Sequence, residues 1–97
     1  MNNINDIEIK TIVNRIGKEA FITIFYPEIK SNPEISSKEI ALKYHERSYS
    51  SWNLRTSYSK KLFENGLEKD ALRYIIESSK KLNAKIGRKA EAYLNEV

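Results

Sequence analysis

Residues 50–61, SSWNLRTSYSKK, gather three cations with small polar side chains on one short stretch. Arg55, Lys60 and Lys61 supply positive charge, and Asn53, Thr56 and Ser59 supply amide and hydroxyl groups. An arginine can hold guanine, and an asparagine adenine, through paired hydrogen bonds. Small side chains let a helix approach a groove floor, while lysines meet phosphates. These residue types in this order suit nucleic-acid recognition. The same composition also suits a solvated helix face. Trp52, the only tryptophan, can pack in the core or as a hinge at a helix end. Otherwise it can stack on a nucleotide or anchor a protein interface, where tryptophan is enriched.

Other chemistries find no matching constellation. His45 is the only histidine, and the positions three and four residues on are Ser48 and Tyr49. That spacing makes neither a zinc pair nor a catalytic dyad. At the end of a helix, the imidazole suits the negative pole of the dipole. Glu64, Glu68 and Asp70 are separated by Gly66 and Lys69, a pattern of surface ion pairs and not of paired acid and base. The three glycines are isolated, so no phosphate-cradling loop exists. Cysteine is absent, which removes disulfides and thiolate metal sites. The expectation is no catalytic residue, no metal and no cofactor.

The elements that would position the polar stretch are marked by their ends. Ser36 and Glu39 have capping-box spacing, and Ile35 with Ile40 has the spacing of a hydrophobic staple. A helix should follow from Ser37 to about His45 or Glu46, with Ile40, Ala41 and Tyr44 inward. Ser50 is the expected N-cap of the next helix, with Tyr49 and Leu54 repeating the staple. Leu54, Tyr58 and Leu62 recur every four residues as its inward stripe. The side opposite that stripe would carry Asn53, Thr56, Ser59 and Lys60. Asn65-Gly66 supplies a stop, with Gly66 left-handed and Leu67 folding back on Leu62.

Upstream, Ile4, Ile7, Ile9, Ile12, Val13, Ile16 and Ala20 follow helical spacing, with Asn5 as the cap. The run FITIFY, residues 21–26, has strand-like composition. Yet Phe21, Ile24 and Phe25 continue the helical period, and a lone strand has no partner. A helix is therefore expected, ending at Phe25 or Tyr26 because Pro27 disfavours helical backbone before it. Downstream, Leu67, Ala71, Tyr74, Ile75 and Ser78 face inward on a fourth helix. Asn83 would cap a fifth, whose inward face is Ile86, Ala90, Tyr93, Leu94 and Val97. The fold class is thus all-α, a compact bundle of about five helices in a single domain over residues 1–97. Its parts are an N-terminal helical region at 1–26, a two-helix unit at 36–66 and C-terminal helices at 67–97.

The chain has 97 residues and a formal net charge of +4. Residues 1–37 hold four basic and five acidic groups, whereas residues 38–66 hold six and three, and 67–97 seven and five. The positive excess lies in and after the two-helix unit, which favours a polyanionic partner. No apolar run reaches the ~20 residues that span a bilayer. No basic start followed by an apolar core marks a secretory signal. A cytoplasmic protein without a membrane partner is expected.

Over residues 36–64 the pattern resembles the helix-turn-helix family of DNA-binding domains: a capped first helix with Ile40-Ala41, a turn, and a second helix starting at Ser50-Ser51. The segment from Tyr44 to Ser50 is longer than the family's tight turn and lacks its glycine. The resemblance implies that the second helix enters a major groove of double-stranded DNA. Ser51, Asn53, Arg55, Thr56 and Ser59 would then face bases. Lys43, Arg47, Ser50, Lys60 and Lys61 would contact phosphates. A transcriptional regulator follows as the functional expectation, with homodimerisation because one short helix gives limited affinity. The competing expectation is a small helical protein-interaction module, an inhibitor or adaptor, anchored by Trp52 and the neighbouring tyrosines.

Overall fold

Gly17 divides the N-terminal helical run. Its backbone sits at φ 96° and ψ 125°, a conformation glycine adopts without the steric cost of a Cβ. In the computed structural model of the protein, the described residues are 6–46, 50–79 and 84–95. Along them run α1 (Asp6–Ile16), α2 (Lys18–Ala20), a π-helical segment (Phe21–Phe25), α3 (Tyr26–Ser31), α4 (Ser37–Lys43), α5 (Trp52–Glu64), α6 (Glu68–Ser79) and α7 (Ala84–Asn95). The architecture is all-α, and no strand occurs among the described residues. The expectations for Ile4, Asn5, Arg47, Tyr49, Asn83, Val97 and the side chain of Ile7 lie outside what is described.

The run FITIFY is helical, but the helix does not stop at Pro27. α2, the π segment and α3 form one rod that continues to Ser31. Proline lacks an N–H, and its ring clashes with the carbonyl four residues earlier. The π turn loosens the helix just ahead of that clash. The Tyr26 N–H reaches the Phe21 carbonyl, five residues back, and both residues keep helical dihedrals. The rod then ends at Asn32, whose side chain accepts from the Glu34 N–H at 3.2 Å.

This rod is the centre of the molecule. Ala20, Phe21, Ile22, Ile24, Phe25, Tyr26 and Ile29 are all buried along it. Each large apolar side chain removed from water contributes about 1.5–3 kcal/mol. Val13 and Ile16 from α1, Ile40 from α4, Leu62 from α5, and Leu72 and Ile75 from α6 are among the residues that pack with it in the core. α6 and α7 form a hairpin. α7 closes one side of the rod through Ala90 and through Tyr93, whose ring stacks on Tyr26 at 4.8 Å.

Both ends of the polar unit are built as their residues dictate. Ser36 Oγ accepts the Glu39 N–H at 3.1 Å, and the Ser36 N–H donates to Glu39 Oε1 at 3.4 Å, closing the capping box. Ile35 and Ile40 are both buried beneath it. At the far end, the Leu67 N–H bonds the Leu62 carbonyl at 2.8 Å and the Gly66 N–H bonds that of Phe63 at 3.1 Å. Gly66 has φ 68°. Together these bonds make the Schellman stop.

Candidate nucleic-acid interface

α5 is rolled about its axis relative to the apolar stripe. Leu54 is 48% exposed, while Thr56 and Ser59 are 4% and 0% exposed. The inward face therefore runs through Trp52, Arg55, Thr56, Ser59, Leu62 and Phe63. The expectation that Thr56 and Ser59 face bases is corrected: both point into the protein. Their hydroxyls find no hydrogen-bond partner among the described protein groups. Small residues at these two positions let α5 lie close to α1 and the rod.

Arg55 explains much of the roll. Its Nη1 donates to the Ile16 carbonyl, and its Nε donates to the Ser50 carbonyl at 2.8 Å. The Arg55 N–H also bonds the Ser51 carbonyl at 3.0 Å. One guanidinium thus joins the C-terminus of α1 to the loop that enters α5. Positive charge there complements the negative helix end. Arg55 is accordingly a bracing residue and not an outward reading group, which corrects its expected place.

The entrance to α5 also differs from expectation. The N-cap position belongs to Ser51, not Ser50, and no side-chain capping bond forms. Ser51 sits in the left-handed region at φ 57°, where a non-glycine residue bears about 1–2 kcal/mol of steric strain. The Arg55 bonds on either side hold that turn. Trp52 is half-buried, with its ring 6.1 Å from that of Phe25.

The outward side of α5 is then Asn53, Leu54, Ser57 and Glu64, with Ser50 and Ser51 exposed at its head and Lys61 half-exposed at its edge. Asn53 Oδ1 accepts a hydrogen bond from the Ser37 hydroxyl, which ties the starts of α4 and α5 together. Lys60 flanks this side beside Phe63, Ile29 and Pro33. Lys61 flanks the other side beside Tyr58 and α1. Ser57 was not among the expected positions. The polar recurrence Asn53, Ser57, Lys61 at four-residue spacing was its signal in the sequence.

Lys43 stands at the end of α4 with its Nζ 2.8 Å from Glu28 Oε2. The Tyr44 hydroxyl donates to the same carboxylate at 2.6 Å. Burial pushes the Glu28 carboxyl up, but the bonds from Lys43 and Tyr44 and the Lys43 charge outweigh it and hold it below its ordinary value. Lys43 remains largely exposed, so it can still face solvent anions from this anchor. His45 follows α4, its Nδ1 3.1 Å from the Leu42 carbonyl oxygen. Leu42 itself is 67% exposed.

Among the described residues, no helix is long and apolar enough to cross a membrane. Comparison with protein-family models, with curated proteins and with solved structures found no match.

Proposed function

We propose that this chain is a small DNA-binding protein that acts as a transcriptional regulator, with α5 entering the major groove. The observation that supports it is the outward side of α5. A helix braced at its entrance by Arg55 presents Ser50, Ser51, Asn53 and Ser57 to solvent on one continuous side, with Lys61 half-exposed at its edge. Asn53 and Ser57 offer groups for base edges, and Leu54 between them offers apolar surface for a thymine methyl. Ser50 and Ser51 at the helix head lie where backbone amides welcome a phosphate. Lys43, Lys60 and Lys61 supply cations around this side. A regulator of this kind works in the cytoplasm, and two copies would double the contact made by one short helix.

The exposure of Leu42 and Leu54 favours a second reading, a helical protein-interaction module that docks through the α4–α5 surface. Binding to duplex DNA at several salt concentrations separates the two. A DNA-binding chain shows steep salt dependence, and Asn53→Ala and Ser57→Ala each weaken specific binding by about 1–3 kcal/mol per base contact, Ser57→Ala without lowering the melting temperature and Asn53→Ala with the added loss of its bond to Ser37. Absence of duplex binding at low salt removes the DNA reading. Loss of a protein partner on Leu42→Ser, with DNA binding intact, favours the module.

A further inference from the structure

A cleft of about 280 Å³ lies between α1 and α5, lined by Glu8, Thr11, Ile12, Arg15, Tyr58 and Lys61. The two helices run antiparallel, since Ile16 meets Arg55 and Arg15 meets Tyr58, one step further back on α1 and one turn further on in α5. Arg15 is exposed, yet its guanidinium is held. Its Cζ lies 5.9 Å from the centre of the Tyr58 ring, and its Nη1 lies 3.4 Å from the Tyr58 hydroxyl. Lys61 projects from the next turn of α5 into the same cleft. Neither cation forms an ion pair with another described residue.

We infer that Arg15 and Lys61 together seat one backbone phosphate of the duplex whose groove α5 enters. This rests on the DNA-binding reading and extends the interface from the two-helix unit onto α1. Three features carry it. A guanidinium resting on a tyrosine face has lost much of its rotational freedom, so fewer degrees of freedom remain to be fixed when an anion binds. Arg15 presents a planar fork that matches phosphate oxygens. The Tyr58 hydroxyl lines the same cleft as a further hydrogen-bonding group. Glu8 lies seven residues from Arg15, roughly 10 Å along α1. Lys61, one turn beyond Tyr58 on the antiparallel α5, lies between the levels of Arg15 and Glu8, so the seat lies on the Arg15 side of Lys61.

Fluorescence anisotropy of a random duplex of about 20 base pairs, titrated between about 50 and 200 mM salt, tests the inference. The full chain is compared with R15Q/K61Q, with Lys61→Gln alone, with Arg15→Lys, and with Lys89→Gln on α7 as a charge control. Losing one phosphate contact makes the plot of log affinity against log salt shallower by about 0.9. R15Q/K61Q is expected to show that loss, while Arg15→Lys and Lys89→Gln keep the parent slope. Lys61→Gln leaves the Arg15–Tyr58 contact in place and should weaken binding at about 50 mM salt more than Lys89→Gln does, even where the double variant fails to fold. A parent-like slope in R15Q/K61Q, or an affinity of Lys61→Gln no weaker than that of Lys89→Gln, with the parent binding DNA, overturns the phosphate seat and leaves the DNA reading standing. A parent that binds no duplex at low salt overturns both.

Discussion

Arg55 and its neighbours decide which side of α5 meets solvent. The guanidinium satisfies the carbonyls of Ile16 and Ser50, so Arg55→Ala leaves the α1 terminus without its partner. A stability loss of about 2 kcal/mol is expected from hydrogen bonds to a charged donor, read as a lowered melting temperature. An unchanged melting temperature would return Arg55 to the outward set. Thr56 offers the opposite test. Its buried hydroxyl has no hydrogen-bond partner among the described residues, so Thr56→Val keeps the shape and removes a desolvated polar group. Stability should hold or rise by up to about 1 kcal/mol, and DNA affinity should not change. A loss of stability would reveal a bond that the hydroxyl makes. Sequence reading placed Thr56 and Ser59 outward because Leu54, Tyr58 and Leu62 form the more apolar stripe. Apolarity is a weak guide on a helix whose packing needs small residues at a close crossing and one arginine at a neighbouring terminus. Only Leu62 of that stripe is buried.

Elements with local determinants were legible, and those with tertiary determinants were not. The capping box at Ser36, the staple beneath it and the Schellman stop at Gly66 follow from residues within one turn of each other. The break at Gly17 and the passage through Pro27 depend on what packs outside the helix. Gly17 is isolated inside a periodic apolar run, so periodicity alone carries α1 straight on. The helix breaks there at a positive φ, with the Arg55 guanidinium packed beside Gly17. A Cβ built on Gly17 would sit 3.2 Å from Arg55 Nη1, on a backbone already at φ 96°. Gly17→Ala is therefore expected to destabilise by about 1–2 kcal/mol, from left-handed strain together with the displaced arginine. Circular dichroism melts would show it. If Gly17→Ala instead stabilises the chain, the helix can run through residue 17 and the joint is not required. At Pro27, composition marks a terminus, whereas the buried Phe25, Tyr26 and Ile29 give the rod enough reason to continue through a π turn.

Across the whole molecule, α4 and α5 are held to the central rod at two kinds of place. Leu62 and Trp52 give apolar attachment, the latter against Phe25. Glu28 gives a polar one, where Lys43 and Tyr44 converge on a carboxylate that is only 12% exposed. Hydrophobic attachment is indifferent to acid, but the Glu28 attachment is not. Its carboxyl is held below the ordinary value of 4.5, so the unfolded chain takes up the proton more readily than the folded one. The stability that Glu28 contributes is therefore present in full above about pH 4.5 and is lost as pH falls through the lowered folded value. Thermal melts of the parent and of Glu28→Gln, from near pH 7 down to about pH 3, isolate this contribution because the remaining carboxylates are common to both. Glu28→Gln should melt lower than the parent at neutral pH, since it loses the charge that Lys43 and Tyr44 address. The gap should narrow on acidification, because protonation makes the parent resemble the variant. Tyr44→Phe should show a smaller neutral loss and keep part of the acid response, as Lys43 still holds the carboxylate. A gap that stays constant over the whole range would mean that Glu28 ties α3 to α4 by packing alone.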